Sequence, residues 1–236
     1  MRSAEPAPVL ARPDEDELAG LGMSAGAAAL YRAALARRAG LILIAGPPGS
    51  GKRSTVDAGL PRARDPLTAA IDRPETAELA VEAALDGRLV LAPVEADGAV
   101  AAILRLRDMG VEPFLLAAAL RAAFAQRLVR RLCPACREPV QATGSQASLL
   151  GFDAGAVVWR ARGCEACAGS GSGGRTAVFE AVNVDADLRR LIVSGDAALI
   201  AGHAFRHAPN LAAAARALVR GGTVAPEEAI RISRGF

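Results

Sequence analysis

The residue types that can do chemistry gather at two places. Four cysteines, Cys133, Cys136, Cys164 and Cys167, form two C-x-x-C pairs, and the chain has no others. Each pair can present two thiolates to one metal ion, and the two pairs together complete a tetrahedron. A closed set of four sulfurs leaves no open position for water, so it points to a structural zinc. A redox-active dithiol is the other use of the same spacing. The second place is the run Gly46-Pro47-Pro48-Gly49-Ser50-Gly51-Lys52. Glycines so spaced let backbone N–H groups wrap phosphate oxygens, while the lysine reaches the β- and γ-phosphates of a nucleotide. An ordinary glycine-rich turn is the alternative.

Lys52 is the single lysine of the chain, against 27 arginines. A compact ammonium on a flexible stem enters a phosphate cradle in which a planar guanidinium fits poorly. The next position departs from the pattern. A Ser or Thr there would ligate Mg²⁺, but the chain has Arg53, then Ser54 and Thr55. A shift of one residue turns a helical side chain by about 100°, so Ser54 is a poor replacement. This counts against magnesium, and Arg53 offers positive charge in its place.

Such a loop must leave a buried strand and open a helix. Residues 41–45 (LILIA) are a continuous apolar run suited to a buried parallel strand, and a helix is predicted to start near Lys52. Residues 24–38 read as a helix with Ser24 as its N-cap and Gly40 at its stop. The segment 61–74 is predicted irregular, broken by Pro61, Pro66 and Pro74. A helix over 75–86, a second buried strand over 89–92, and helices over 97–109 and 113–125 follow. Alternating β and α implies a parallel sheet with helices packed on it. From Cys133 the composition turns to Gly, Ser and Ala, with 169–174 (GSGSGG) a flexible loop. Short helices are predicted over 185–193, 196–203, 210–219 and 226–232. The organisation expected is a disordered tail (1–16), a P-loop nucleotide-binding domain reduced in strand number (17–132), a four-cysteine zinc-binding subdomain (133–174) and a helical C-terminal subdomain (175–236).

The composition is that of a soluble globular protein, 52% hydrophobic and 22% charged over 236 residues. Aromatics make up 3% of it, so the core must come from Leu, Val, Ile and Ala. A net charge of +3 does not point to nucleic acid. The stretch between the cysteine pairs offers only Phe152 and Trp159 for base stacking. The N-terminus lacks the apolar core of a secretory signal, and the apolar stretch over 113–125 is too short to span a bilayer. The expected setting is the cytosol, where paired cysteines favour metal over disulfide. Arg127, Arg130 and Arg131 read as solvated charges. His203 and His207, four apart, read as a helix-surface pair, and the acidic run 14–17 as solvated tail.

Several motifs, in one order, carry a family resemblance from about residue 17 to the end. The stretch 40–52 (GLILIAGPPGSGK) resembles the nucleotide loop of the type II secretion and type IV pilus assembly ATPases. Residues 75–91 (ETAELAVEAALDGRLVL), 105–116 (RLRDMGVEPFLL), 125–136 (AQRLVRRLCPAC) and 163–167 (GCEAC) are similar to further stretches of that family. So are Gly174-Arg175-Thr176, Phe179-Glu180 and 187–192 (DLRRLI). The resemblance implies a RecA-like P-loop α/β fold and a hexameric motor. It further implies ATP hydrolysis coupled to pilus or pseudopilus assembly beneath an inner-membrane platform protein, and zinc in the tetracysteine subdomain.

Against that family four departures stand out. The chain starts where the nucleotide-binding half starts, so the N-terminal domains are expected to be absent. Strands and an acidic box are missing between Lys52 and Ile71. Ala70 stands where the Walker B glutamate precedes the Ile71-Asp72-Arg73 run, and Glu95 stands where the family has a histidine. Hydrolysis needs metal, a positioned water and charge stabilisation, and loss of one such contact costs about 10²–10³ in rate. Asp65, Asp72 and Glu95 are the remaining carboxylates that could substitute, with Asp72 and Glu95 the catalytic candidates. The chain therefore reads as an ATP-binding relative, weak or inactive in hydrolysis. It would be cytoplasmic and peripheral at the inner membrane, acting on the platform protein or on full-length ATPase subunits in a homo- or hetero-hexamer. Two alternatives remain: a minimal Mg-dependent ATPase with rewired acids, and a zinc-binding scaffold without nucleotide function.

Overall fold

The structure is a computed structural model that describes residues 15–234. Most of the predicted tail (1–16) lies outside the described residues, but helix α1 (Glu15–Gly20) begins inside it. Glu17, expected as solvated tail, pairs with Arg62 at 3.1 Å, and Leu18 is fully buried. Helix α2 (Ala25–Leu35) starts as its sequence suggests, with the Ser24 hydroxyl accepting from the Ala27 N–H.

Strand β1 (Gly40–Ala45) leads through the glycine loop into helix α3 (Lys52–Gly59). Strand β2 (Leu67–Thr68) is a short element inside the segment predicted irregular. Helix α4 (Pro74–Leu85), strand β3 (Leu89–Val94) and helix α5 (Ala99–Asp108) follow. The helix predicted over 113–125 is corrected. Helix α6 (Pro113–Ala119) stops early, and strand β4 (Leu120–Leu132) takes over. An Ala-rich run favours helix by propensity, but residues 122–125 are buried on both faces of the sheet and tertiary packing overrides it.

Beyond β4 come strand β5 (Arg137–Gln141), helix α7 (Gly144–Leu150), strand β6 (Val157–Ala161) and strand β7 (Ser172–Asn183). Helices α8 (Ala186–Ser194), α9 (Ala197–Ala204), α10 (Leu211–Arg220) and α11 (Pro226–Ser233) complete the described chain. The predicted flexible loop 169–174 gives way at Ser172 to β7, which pairs antiparallel with nearly all of β4. Glycines there have no side chain to resist that close pairing. The boundary expected after residue 174 thus falls within β7, and the C-terminal region contributes a strand as well as helices.

The main sheet has the order β2-β3-β1-β4-β7, with its first four strands parallel. The small sheet pairs β5 with β6. Strands β1, β3 and β4 lie inside the α/β layers, so both faces are buried. Ile42, Ile44, Leu89, Leu91, Ala122 and Phe124 face α2 and α3, where Tyr31 meets Phe124 edge-on at 5.1 Å. Leu41, Leu43, Val90, Ala92 and Ala123 face the α4–α6 side. Buried Glu180 of β7 accepts from the N–H groups of Ala99 and Leu211, capping α5 and α10 from outside.

Asp185 caps α8 through the Leu188 N–H and meets His203 Nε2 at 2.9 Å. Helix α9 ends at Ala204, so His203 and His207 do not share a helix surface as predicted. Two carboxylates sit below their ordinary range. For Asp185 the main cause is the Leu188 N–H, with His203 adding to it. For Glu228, burial opposes ionisation, but Arg231 and Arg130 outweigh it. A depressed folded value gives stability that is present above the unfolded value of about 4 and lost as pH falls through the folded value. The melting temperature should therefore fall on acidification below about pH 4. Glu228→Gln should lower it at pH 7 and shrink the acid-side loss; an unchanged acid limb would remove Glu228 from that account.

Candidate functional site

The loop begins where β1 ends. Gly46, Gly49 and Gly51 all have positive φ, a conformation that favours glycine. At Gly46 a Cβ would lie 2.3 Å from Ser50 Oγ and 2.7 Å from the Gln126 carbonyl oxygen, so no larger residue fits. Ser50 Oγ is buried and has no hydrogen-bond partner, which leaves a hydroxyl inside the loop to be satisfied. Lys52 Nζ folds back onto the loop, donating to the carbonyls of Gly46 (2.7 Å) and Pro47 (2.9 Å). Burial lowers the Lys52 pKa, Glu95 partly offsets this, and Arg127 lowers it further.

The structure separates the three residues after Lys52. Arg53 is 94% exposed and near Asp57, 3.9 Å away, so it points away from the loop. Ser54 is exposed as well. Thr55 is fully buried, and its hydroxyl donates to Gln126 Oε1 at 2.7 Å. No hydroxyl therefore stands at the place just after the lysine.

The acidic candidates divide in the same way. Residues 69–71 run beside β3, with Ile71 bridging Val94, so Ala70 sits in the sheet extension without a carboxylate. Asp72 is exposed and accepts from Thr76 Oγ1 at the start of α4. Glu95, just beyond β3, is exposed but close enough to act on Lys52. Arg127 corrects its prediction as a solvated charge. It is buried and holds Asp97 through Oδ1 (3.1 Å) and the carbonyl (3.0 Å). Burial lowers its pKa, with Asp97 and Glu180 opposing.

The four cysteine sulfurs lie within 4.8 Å of one another. The Cys133–Cys164 and Cys136–Cys167 separations are both 3.9 Å, and Cys164–Cys167 is 3.7 Å. Four sulfurs at about 2.3 Å from a central zinc stand about 3.8 Å apart along each tetrahedral edge. The donor set thus fits one such ion. Cys133 follows directly on β4, and the N–H groups of Cys164 and Gly171 point at Cys167 Sγ, both at 3.2 Å. The Cys164 N–H is the main cause that holds the Cys167 thiol down, while burial pushes the neighbouring Cys136 thiol up. The tight turn needs Gly163, where a Cβ would lie 2.5 Å from the Gly169 carbonyl oxygen.

Residues 70–231 match the family described as Type II/IV secretion system protein. The chain belongs to that family. It is 35% identical to type II secretion system protein E of Pseudomonas aeruginosa, over 91% of this chain and 52% of that protein. It is 34% identical to the type IV pilus assembly ATPase PilB of Thermus thermophilus, over 78% of this chain and 26% of that protein. The chain thus spans about half the length of the Pseudomonas relative. That alignment runs over 263 positions while taking in 91% of this 236-residue chain, so the relative carries residues inside the matched stretch that have no counterpart here. In fold, the ATPase DotB of Yersinia pseudotuberculosis superposes with a TM-score of 0.64 over 93% of this chain and 63% of that one, at 15% identity. Among the described residues no helix is long and apolar enough to cross a membrane.

Sequence reasoning missed Gln126, Thr55 and Tyr31 behind the loop of this family member. The signal was available: a lone uncharged polar side chain in the apolar run 122–129 needs a buried partner. It also missed a recess of about 430 Å³ beside Gly49, lined by Leu128, Arg130, Arg175, Glu228 and Arg231. Arg130 and Arg175 are directly opposed across β4 and β7. Glu228 offsets that repulsion by binding both Arg130 (2.9 Å) and Arg231 (2.8 Å). Nothing in sequence spacing shows that α11 returns to the loop.

Proposed function

We propose that this chain binds ATP at the Gly46–Lys52 loop, turns it over weakly or not at all, and works through protein contacts in a secretion or pilus system. The observation that carries the reading is the contrast within one site. The loop keeps its glycine geometry, its lysine and an unpartnered inward hydroxyl, Ser50 Oγ. Beside it, the place for a metal-binding hydroxyl holds an outward arginine, and the sheet extension at Ala70 has no carboxylate. Phosphate oxygens would replace the two carbonyls that now hold Lys52 Nζ. The four cysteines would hold a structural zinc. The partners proposed are an inner-membrane platform protein or full-length ATPase subunits in a homo- or hetero-hexamer. The place is the cytoplasmic side of the inner membrane, and nucleic acid is not a ligand.

Calorimetry with ATP tests it. Saturable binding is expected for the wild type, and Lys52→Ala should raise Kd at least about tenfold, a loss of about 1.4 kcal/mol. Equal affinity in the two proteins would remove the loop from the reading. The nearness of Glu95 to Lys52 favours one second reading, an active ATPase with Glu95 as its acid. It requires ATP turnover that disappears in Glu95→Gln.

A further inference from the structure

We propose that Gln126 is the positioning residue of the phosphate loop, gripping the loop and the first turn of α3 from β4 and fixing the shape in which phosphate is received. Where it concerns nucleotide, this rests on the function proposed above. Gln126 is 2% exposed. Its Nε2 donates to the Ser50 carbonyl at 2.9 Å, and its Oε1 accepts from Thr55 Oγ1 at 2.7 Å. A side-chain amide has one donor end and one acceptor end at a fixed separation. Gln126 uses one on the loop and the other on α3, so it locks their relative position.

The planar peptide bond gives this grip its consequence. In a trans peptide the carbonyl and the following N–H point to opposite sides. Anchoring the Ser50 carbonyl on Gln126 therefore turns the Gly51 N–H away from β4. The Gln126 backbone carbonyl meanwhile stands 2.7 Å from where a Gly46 Cβ would be, and its Nε2 3.0 Å from a Gly51 Cβ. One residue thus lies against the loop near both its ends, and both glycines are needed for it to come so close. The network continues outward, as Tyr31 Oη donates to the Thr55 carbonyl at 2.7 Å.

Gln126→Met keeps the side chain's length and removes both hydrogen bonds. Gln126→Asn keeps an amide in the core but withdraws it from the loop, and it serves as the second variant should the methionine form fail to fold. Tyr31→Phe cuts the same buried network one bond further out. Hydrogen exchange across residues 52–59 of the ligand-free protein should quicken by about tenfold or more in the Gln126 variants, with β3 unchanged. Their Kd for ATP should rise by about tenfold. Tyr31→Phe removes a bond to the Thr55 carbonyl of α3 itself, so it should lower the melting temperature and quicken exchange there, yet leave the Kd for ATP within about twofold. Exchange in the Gln126 variants at the wild-type rate overturns the proposal, as does Tyr31→Phe matching them in both readouts. A wild type that takes up no ATP sinks the proposed function instead, and the exchange comparison still decides the role of Gln126.

Discussion

Stripping metal from the purified protein is expected to unfold the cysteine subdomain while the main sheet stays folded. The reason lies in how little else holds the segment between Cys133 and Gly171. Its sheet is a single pair of strands, β5 and β6, and an isolated two-stranded sheet is marginal in water. Few of its side chains are buried: besides Cys133 and Cys136 the apolar ones are Ala142, Ala147, Leu150 and Val158, which pack at the margin of the main core and form no core of their own. Arg137 donates to the Gly222 carbonyl at 2.6 Å and Gln146 to Glu227 at 2.9 Å. One cation–π contact, Arg220 over Phe152, also ties it to its surroundings, and a second, Arg137 over Trp159, joins its own two strands. Such contacts contribute about 0.5–1 kcal/mol each at exposed sites, against roughly 10 kcal/mol or more for a structural zinc bound by a peptide. The metal term decides. Elemental analysis should give about one zinc per chain. Trp159 is the only tryptophan and its ring lies against Gly222, so its fluorescence reports on this subdomain and on its seat beside the turn that follows α10. Chelation should shift that signal toward a solvent-exposed ring and lower the melting temperature by more than about 10 °C, the equivalent of several kcal/mol. Cys164→Ser should reproduce most of the effect without chelator. A metal-free protein with native Trp159 fluorescence and an unshifted transition would refute the structural role.

The parts of the site that were legible in the sequence are those with short-range spacing. The glycines and Lys52 sit within one strand–turn–helix, and each cysteine pair lies within four residues, so local order alone gives their chemistry. The helix cap at Ser24 was legible for the same reason. What failed was decided at long range. The sequence predicts helix over 120–125, the start of β4, where Ala122 and Ala123 carry a helical preference, and only burial between two helical layers makes them strand. An arginine taken alone reads as solvated; the burial of Arg127 depends on Asp97, 30 residues earlier, and on the pairing of β4 with β7. Gln126 meets Ser50 across 76 residues. Pairings of that kind depend on sheet order, which hydrophobic periodicity does not encode.

ATP affinity should be nearly the same with magnesium and with a chelator, and turnover should be at least about 10⁴-fold below that of an intact relative measured alongside. Both expectations come from the same local geometry. In a phosphate loop the hydroxyl after the lysine holds the ion that bridges the β- and γ-phosphates. Here Arg53 occupies that place and is almost wholly in solvent, while Thr55, the buried hydroxyl further along α3, is committed to Gln126. Asp72 is engaged by Thr76 at the start of α4, so moving it to the nucleotide would break that contact. Two or more missing contacts at about 10²–10³ each multiply to the loss stated. Arg53→Thr should make binding magnesium-sensitive, because it restores the ligand on an otherwise intact loop. It should not restore turnover, because Ala70 still offers no acid to position water. Asp72→Asn and Glu95→Gln should leave the residual rate unchanged. Magnesium-dependent turnover in the wild type that vanishes in Lys52→Ala and falls in Glu95→Gln would reverse the conclusion, making Glu95 the working acid of a rebuilt site.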